Sequence, residues 1–343
     1  MNTALLNFTN PNNSKNVIQR SLFSIVLVLI SILFFTSCES DEQEEQKADG
    51  VALQDRFANN RKNAVQTFSI DGSENQKLDG NAGTIIIIPA NSIGLNGVPT
   101  TGVFEIQLIE IYNKTDMVLQ NMSTKGEKPN GDEEPLTSEA EFFINATQNG
   151  TQLEVLSPIE IRSVGVPTGQ YVAMKVFRAG DSLQDNDLWK EADENGDNVT
   201  DDAFPGENNN NPTNMTIYNG FTITGFGWSN LDIWGNSTSQ LTTLFVDAPS
   251  GYNLTNCAIF ISYDGFNAMT IMDRYDNATN LFTEHFGRVP VGQEVHFIMM
   301  ADIGGQLHYS IQASVITTNH TEIITNLQPI SESAFTSLLN TLP

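Results

Sequence analysis

Only two cysteines, Cys38 and Cys257, occur in 343 residues, so the fold cannot rest on a disulfide framework. Basic residues are scarce as well: 16 Lys and Arg face 41 Asp and Glu, for a formal net charge of −25. That balance repels nucleic acid and anionic lipid headgroups and sets both aside as partners. No apolar run is long enough for a permanent transmembrane helix, which needs about 20 residues. The longest, Leu22 to Phe35, has fourteen. Gly-x-Ser-x-Gly, a Cys-His pairing and a glycine-rich phosphate loop are also missing, which leaves no nucleophile in an activating motif and no nucleotide cradle.

What the N-terminus does hold is ordered in a telling way. Lys15 and Arg20 lie in an opening stretch without a single acid, the apolar run follows, and small residues lead to Cys38. That is the layout of a secretory signal spanning residues 1–37. Phe35-Thr36-Ser37-Cys38 resembles the lipobox of bacterial lipoproteins, with Phe35 where those proteins usually carry Leu. The resemblance implies that Cys38 is lipidated and becomes the new N-terminus. Ser40, Asp41, Glu42, Glu44 and Glu45 then resemble the acidic export signal of Bacteroidetes surface lipoproteins. This implies an outer-membrane protein anchored through lipid on Cys38 and displayed at the cell surface, with the periplasmic face as the alternative. By composition, residues 38–62 read as an acidic disordered tether. Loss of residues 1–37 removes two of the 16 basic residues and none of the 41 acidic ones, leaving 14 against 41 and a net charge of −27. Cys257 is then the one remaining thiol that is not lipidated, and its setting, CAIFISY, predicts a core cysteine on a strand.

Strand signals dominate the rest. TIIIIP (84–89) is a β-branched run stopped by proline, and GVFEIQL (102–108) alternates Phe104, Ile106 and Leu108 with Glu105 and Gln107. The alternation breaks at Ile109, before Glu110, which predicts a β-bulge. Short strands recur about every 8–12 residues with turn residues between them, as in a sandwich. Residues 180–214 depart from this pattern: they are acidic and Asn-rich, with Trp189 and Phe204 as their only aromatics. Such a stretch cannot bury enough apolar surface to order itself. The reading is therefore all-β, with two β-sandwich-like (immunoglobulin-like) domains at 63–180 and 215–343 joined by an acidic linker at 181–214. A short helix over SESAFTSLLNTL (331–342), N-capped by Ser331 or Ser333, ends the second. GTIIIIPANSIGLNGVPTTGVFEIQLIEIYNKTDMVLQNMST (83–124) and GFGWSNLDIWG (225–235) resemble exported lipoproteins of Bacteroidetes, which implies an exported all-β protein.

Chemistry-bearing residues are few. His296 and His308 flank a hairpin, and aligning Val295, Phe297, Met299 and Ala301 with Leu307, Tyr309, Ile311 and Ala313 predicts a three-residue loop, Ile303-Gly304-Gly305. That register sets the histidines about 13 Å apart, and a two-residue loop puts them on opposite faces, so neither lets them share a metal ion. Asp193, Asn195, Asp197 and Asp201 are hard oxygen donors around a glycine and form the one calcium candidate. Without calcium the same residues read as solvated linker. Trp189, in a polar stretch, either docks on a domain or offers a face to a ligand. Trp228 and Trp234 read as core. The sequence thus points to a non-catalytic binding or structural module with a glycan or protein partner, no catalytic residues and no cofactor beyond that calcium. Glycan binding in a polysaccharide-uptake system is the first alternative, and carboxylate-dependent hydrolysis the second.

Overall fold

Apolar residues on alternate positions decide which way each strand faces, and in this protein several strands are apolar on both sides. The structure, a computed structural model, describes residues 47–164, 174–193, 196, 201–207, 217–235, 239–284 and 287–343. The chain runs α1 (Gly50–Ala64), β1 (Gln66–Asp71), β2 (Gln76–Asp79), β3 (Ile85–Ile88), β4 (Val103–Ile111), α2 (Lys114–Gln120), β5 (Lys125–Glu127), β6 (Glu133–Gln148) and β7 (Ile159–Arg162). It continues through β8 (Lys175–Arg178), β9 (Trp189–Glu191), β10 (Phe204–Glu207), β11 (Ile217–Ile223) and β12 (Gly227–Trp234). The last third holds β13 (Leu244–Asp247), β14 (Ala258–Tyr263), β15 (Met269–Ile271), β16 (Arg274–Asp276), β17 (Leu281–Thr283), β18 (Glu294–Ile303), β19 (Gln306–Val315), β20 (His320–Ile323) and α3 (Glu332–Leu339).

Among the described residues the four larger sheets, short edge strands aside, run in the orders β1-β4-β6-β12-β8-β9-β5, β10-β11-β7-β3-β2, β15-β14-β18-β19 and β16-β17-β13-β20, beside two small sheets of three and two strands. Ile106, Leu108, Phe142 and Ile144 of the first sheet pack on Ile86, Ile161, Phe221 and Ile223 of the second. Ile259, Ile261, Val295 and Phe297 of the third pack on Leu244, Val246 and Phe282 of the fourth. The opposite faces of the first and third sheets are buried too. Ile109, Phe143, Phe177 and Trp228 meet Phe260, Ile298 and Met300 across a layer built from Leu53 and Phe57 of α1, Met117 and Val118 of α2, and Phe335 and Leu339 of α3. The fold is all-β with sandwich-like packing and a short C-terminal helix, and the three helices join its two sandwiches into one compact unit. Burying a large apolar side chain such as Leu53 or Phe57 contributes about 1.5–3 kcal/mol.

Four expectations need correction. First, the predicted tether over 38–62 is not disordered throughout: α1 begins at Gly50, with Asp49 Oδ1 accepting from the amides of Val51 (2.9 Å) and Ala52 (3.1 Å). Leu53, Phe57 and Arg61 recur every fourth position and are the buried stripe that makes this polar helix stick. Second, the linker at 181–214 does not divide the domains. After it, β11 pairs with β7 and β12 pairs with β6 and β8, so the first sandwich is completed only at Trp234. The stretch itself supplies β9 to the first sheet and β10 to the second.

Third, β4 has no bulge: its register with β6 is unbroken from Glu105↔Thr147 to Ile111↔Glu141, and Ile109 is apolar because it faces the helices. The bulge lies on β6, where the register with β12 passes from Leu231↔Ala140 to Asp232↔Ser138 and leaves Glu139 as the extra residue. Fourth, the β18–β19 hairpin turns on two residues, not three. Ile303 pairs with Gln306, and Gly304 (φ 61°) and Gly305 (φ 81°) supply the two left-handed positions of a type I′ turn. Matching one apolar face to another failed because β18 is buried on both sides.

Candidate functional site

β6 is long enough to serve two neighbours along one edge, and this shapes the site. Its start pairs with β5 and its middle with β12; since β5 also joins β9, and β9 joins β8, the strands β6, β12, β8, β9 and β5 close a circuit. Gly126 lets the circuit close over Trp234: a Cβ there would lie 2.9 Å from the indole and 2.8 Å from Leu136 Cδ1. Where β12 leaves this circuit a cleft of about 750 Å3 opens. One wall is Glu134–Thr137 of β6 with Ile233–Gly235, and the other comes from Tyr263, Phe266 and Ala268 and from Arg288 and Pro290–Gln293.

The cleft carries three aromatic rings, those of Trp234, Tyr263 and Phe266, and a chain of ion pairs. Lys128 Nζ is 2.8 Å from Glu134 Oε2, Arg288 donates to Glu134 Oε1 at 3.1 Å, and Arg288 also pairs with Asp132. The Lys128 ammonium lies 5.0 Å from the centre of the Trp234 ring. Trp234 donates its indole N–H to Glu191 and meets Phe177 edge-on at 5.4 Å, which fixes its plane. Phe266 is 50% exposed at the rim. Tyr263 is buried behind it, its hydroxyl 3.3 Å from Thr270 Oγ1, and burial raises its ionisation well out of the physiological range.

The carboxyl groups with the most perturbed ionisation lie elsewhere. Glu141 and Asp232 are wholly buried on the helix-facing side of the first sheet, and burial holds both well above the usual carboxylate range, each opposing ionisation of the other carboxyls nearby. Neither Glu141 oxygen has a hydrogen-bond partner among the described residues. Glu139 is pushed up by burial despite accepting from Ser163 and Asn219 between the two sheets. Arg61 is lowered to about 10 by burial, against the pull of Glu141 and Asp185. None of these groups lines the cleft. Among the described residues that do, Glu134 is the one carboxylate.

The residues singled out from sequence fare differently. Trp189 is fully buried and donates to the Ser123 carbonyl at 2.6 Å, so it offers no face to a ligand; it is a core residue of β9 despite its polar neighbours. Trp228 is also buried, donating to the Ser182 carbonyl at 3.1 Å. Of the calcium candidates, Asp201 donates its N–H to the carbonyl of Ala192, next to Asp193, and Asn195 and Asp197 lie outside the described residues. Among the described residues no three His, Cys, Asp or Glu side chains gather around a common point. Cys38, Ser40, Asp41, Glu42, Glu44 and Glu45 also lie outside the described residues.

His296 Nδ1 sits 2.8 Å from Asp264, while His320 stacks on Phe297 at 5.9 Å and lies 3.1 Å from Glu322. Cys257 is buried, its thiol pushed up to about 12. Phe266 and Arg288 had no motif to announce them, and Trp234 read as core. Only the turn-rich acidic stretch at Asp132–Glu134 hinted at a charged surface beside a strand. No model of a protein family matches this chain, and a search of curated proteins finds no relative.

Proposed function

We propose that this protein is a lipid-anchored outer-membrane protein, displayed at the cell surface, that acts as a non-catalytic binding module through the cleft beside Trp234. The observation that carries the binding reading is the single carboxylate in the cleft wall. Glu134 is held by both Lys128 and Arg288, whereas acid–base hydrolysis of a glycoside needs two carboxyl groups flanking the bond. Of the buried carboxyls with raised ionisation, Glu139 lies between the two sheets and Glu141 and Asp232 face the helical layer, and none of the three lines the cleft. The anchoring half of the reading is supported by Cys38 at the end of the apolar run and the acid behind it.

Fatty-acid labelling of growing cells tests the anchor. The wild-type chain takes the label and Cys38→Ala does not; label persisting in the variant rejects lipidation at Cys38. Protease added to intact cells removes the displayed protein, and protection until the outer membrane is opened places it on the periplasmic face instead. Turnover of any glycan or peptide that disappears in Glu134→Gln would overturn the non-catalytic reading.

A further inference from the structure

We infer that the cleft takes a neutral carbohydrate, an inference that rests on the binding reading above and names its ligand class. The wall groups Lys128, Glu134 and Arg288, with Asp132 beside them, form one ion-paired chain of two cations and two anions. No charge is left over. An ionic ligand must break a pair and strand its former partner in a half-buried wall, where Glu134 is 12% exposed and Arg288 33%. An acidic ligand also meets the repulsion of a strongly negative protein, with a net charge of −25 over the full chain.

A hydroxyl group meets neither obstacle, because it donates and accepts at once. A paired carboxylate keeps spare lone pairs and a paired guanidinium keeps spare N–H groups, so the ion-pair chain stays intact while it binds a polyol. Thr137 and Ser239 add hydroxyls to the wall. The rings complete the match: a pyranose has one face of C–H groups, and Phe266, half exposed at the rim, offers a flat apolar surface to it. Trp234 is already locked by Glu191 and Phe177, so it is a rigid second platform under Lys128. The volume of about 750 Å3 falls in the range that encloses a ligand of several rings.

The test uses the detergent-purified mature chain on an array of neutral, acidic and amino-sugar glycans beside an array of peptides, with tryptophan fluorescence for titration. Neutral glycans bind with a Kd that is insensitive to salt, and binding shifts the emission of Trp234, an effect lost in Trp234→Phe. Phe266→Ala and Arg288→Gln each weaken binding about tenfold or more, equivalent to about 1.4 kcal/mol, and Phe266→Ala leaves the melting temperature unchanged. Binding confined to charged glycans, with steep salt dependence, overturns the neutral class. Binding of peptides alone, weakened by the same two variants, overturns carbohydrate but keeps the cleft as the site. Silence on both arrays removes the inference and the binding reading together.

Discussion

Asn230 on β12 stands directly across the ladder from Glu141 on β6, yet it gives its amide to Asp232, 2.7 Å away on its own strand. Glu141 is left fully buried, with no donor to either oxygen among the described residues. A carboxyl in that position keeps its proton, because ionising it without solvent or a partner is costly.

The sign of the resulting pH dependence follows. Glu141 and Asp232 are both raised in the folded state, so above the ordinary carboxylate range the native protein holds protons that the unfolded chain releases. Their contribution is complete below the ordinary carboxylate range and is lost as pH rises through the folded values. Urea unfolding across pH 4 to 9 should show this decline, and Glu141→Gln should flatten it by up to about 1.4 kcal/mol per pH unit, one proton's worth. An unchanged slope in the variant would mean that Glu141 ionises freely in the fold.

Arg61 ties α1 to what lies beneath it, donating to the carbonyls of Gln120 (2.6 Å), Asn121 (3.1 Å), Leu183 (3.3 Å) and Asp185 (3.1 Å). Lysine has the charge without the planar fork. Arg61→Lys should lower stability by about 2 kcal/mol as carbonyls lose their donor, read as a lower urea midpoint at unchanged slope.

Trp189→Ala should destabilise the protein by about 3–5 kcal/mol, the cost of emptying a large buried site. Ligand affinity, measured below the new melting transition, should be unchanged. Selective loss of binding with intact stability would return Trp189 to the surface.

Gly126→Ala should force Trp234 from its seat and cost about 1–3 kcal/mol by overpacking. The emission of Trp234 reports the shift, with Trp234→Phe as background.

A protease site inserted at residues 208–211 should, once cut, yield two pieces that still elute as one particle and part only in denaturant. β11 and β12 lie beyond the cut and β6, β7 and β8 before it, held by backbone ladders. Pieces that separate in native buffer would restore the domain boundary at that point.

Strands were legible where one face alone is buried, as in Phe104, Ile106 and Leu108 on β4. Ile109 and the β18 hairpin misled because burial on both faces erases the period-two signal. The composition of 180–214 reads as solvated linker, yet the stretch holds the fully buried Trp189, and chain topology is set by pairings such as Ile159↔Ile223 that no local window contains. α1 escaped notice because its stripe is a single residue wide and one of its members, Arg61, is charged. The cleft gathers residues from Lys128 to Gln293, each ordinary in its own neighbourhood, so only the assembled fold could bring them together.

The shared helical layer also dictates an order of events during folding. Asp49 N–H donates to the Asp302 carbonyl at 2.7 Å, Arg56 grips the Asp302 side chain at 2.6 Å, and α1 packs beside α3 from the far end of the chain. α1 therefore waits for α3. The first sandwich waits too, until Trp234 has emerged. Contacts this distant close slowly, so α1 finds its seat, and the first sandwich its last strand, only after residues far along the chain have been made.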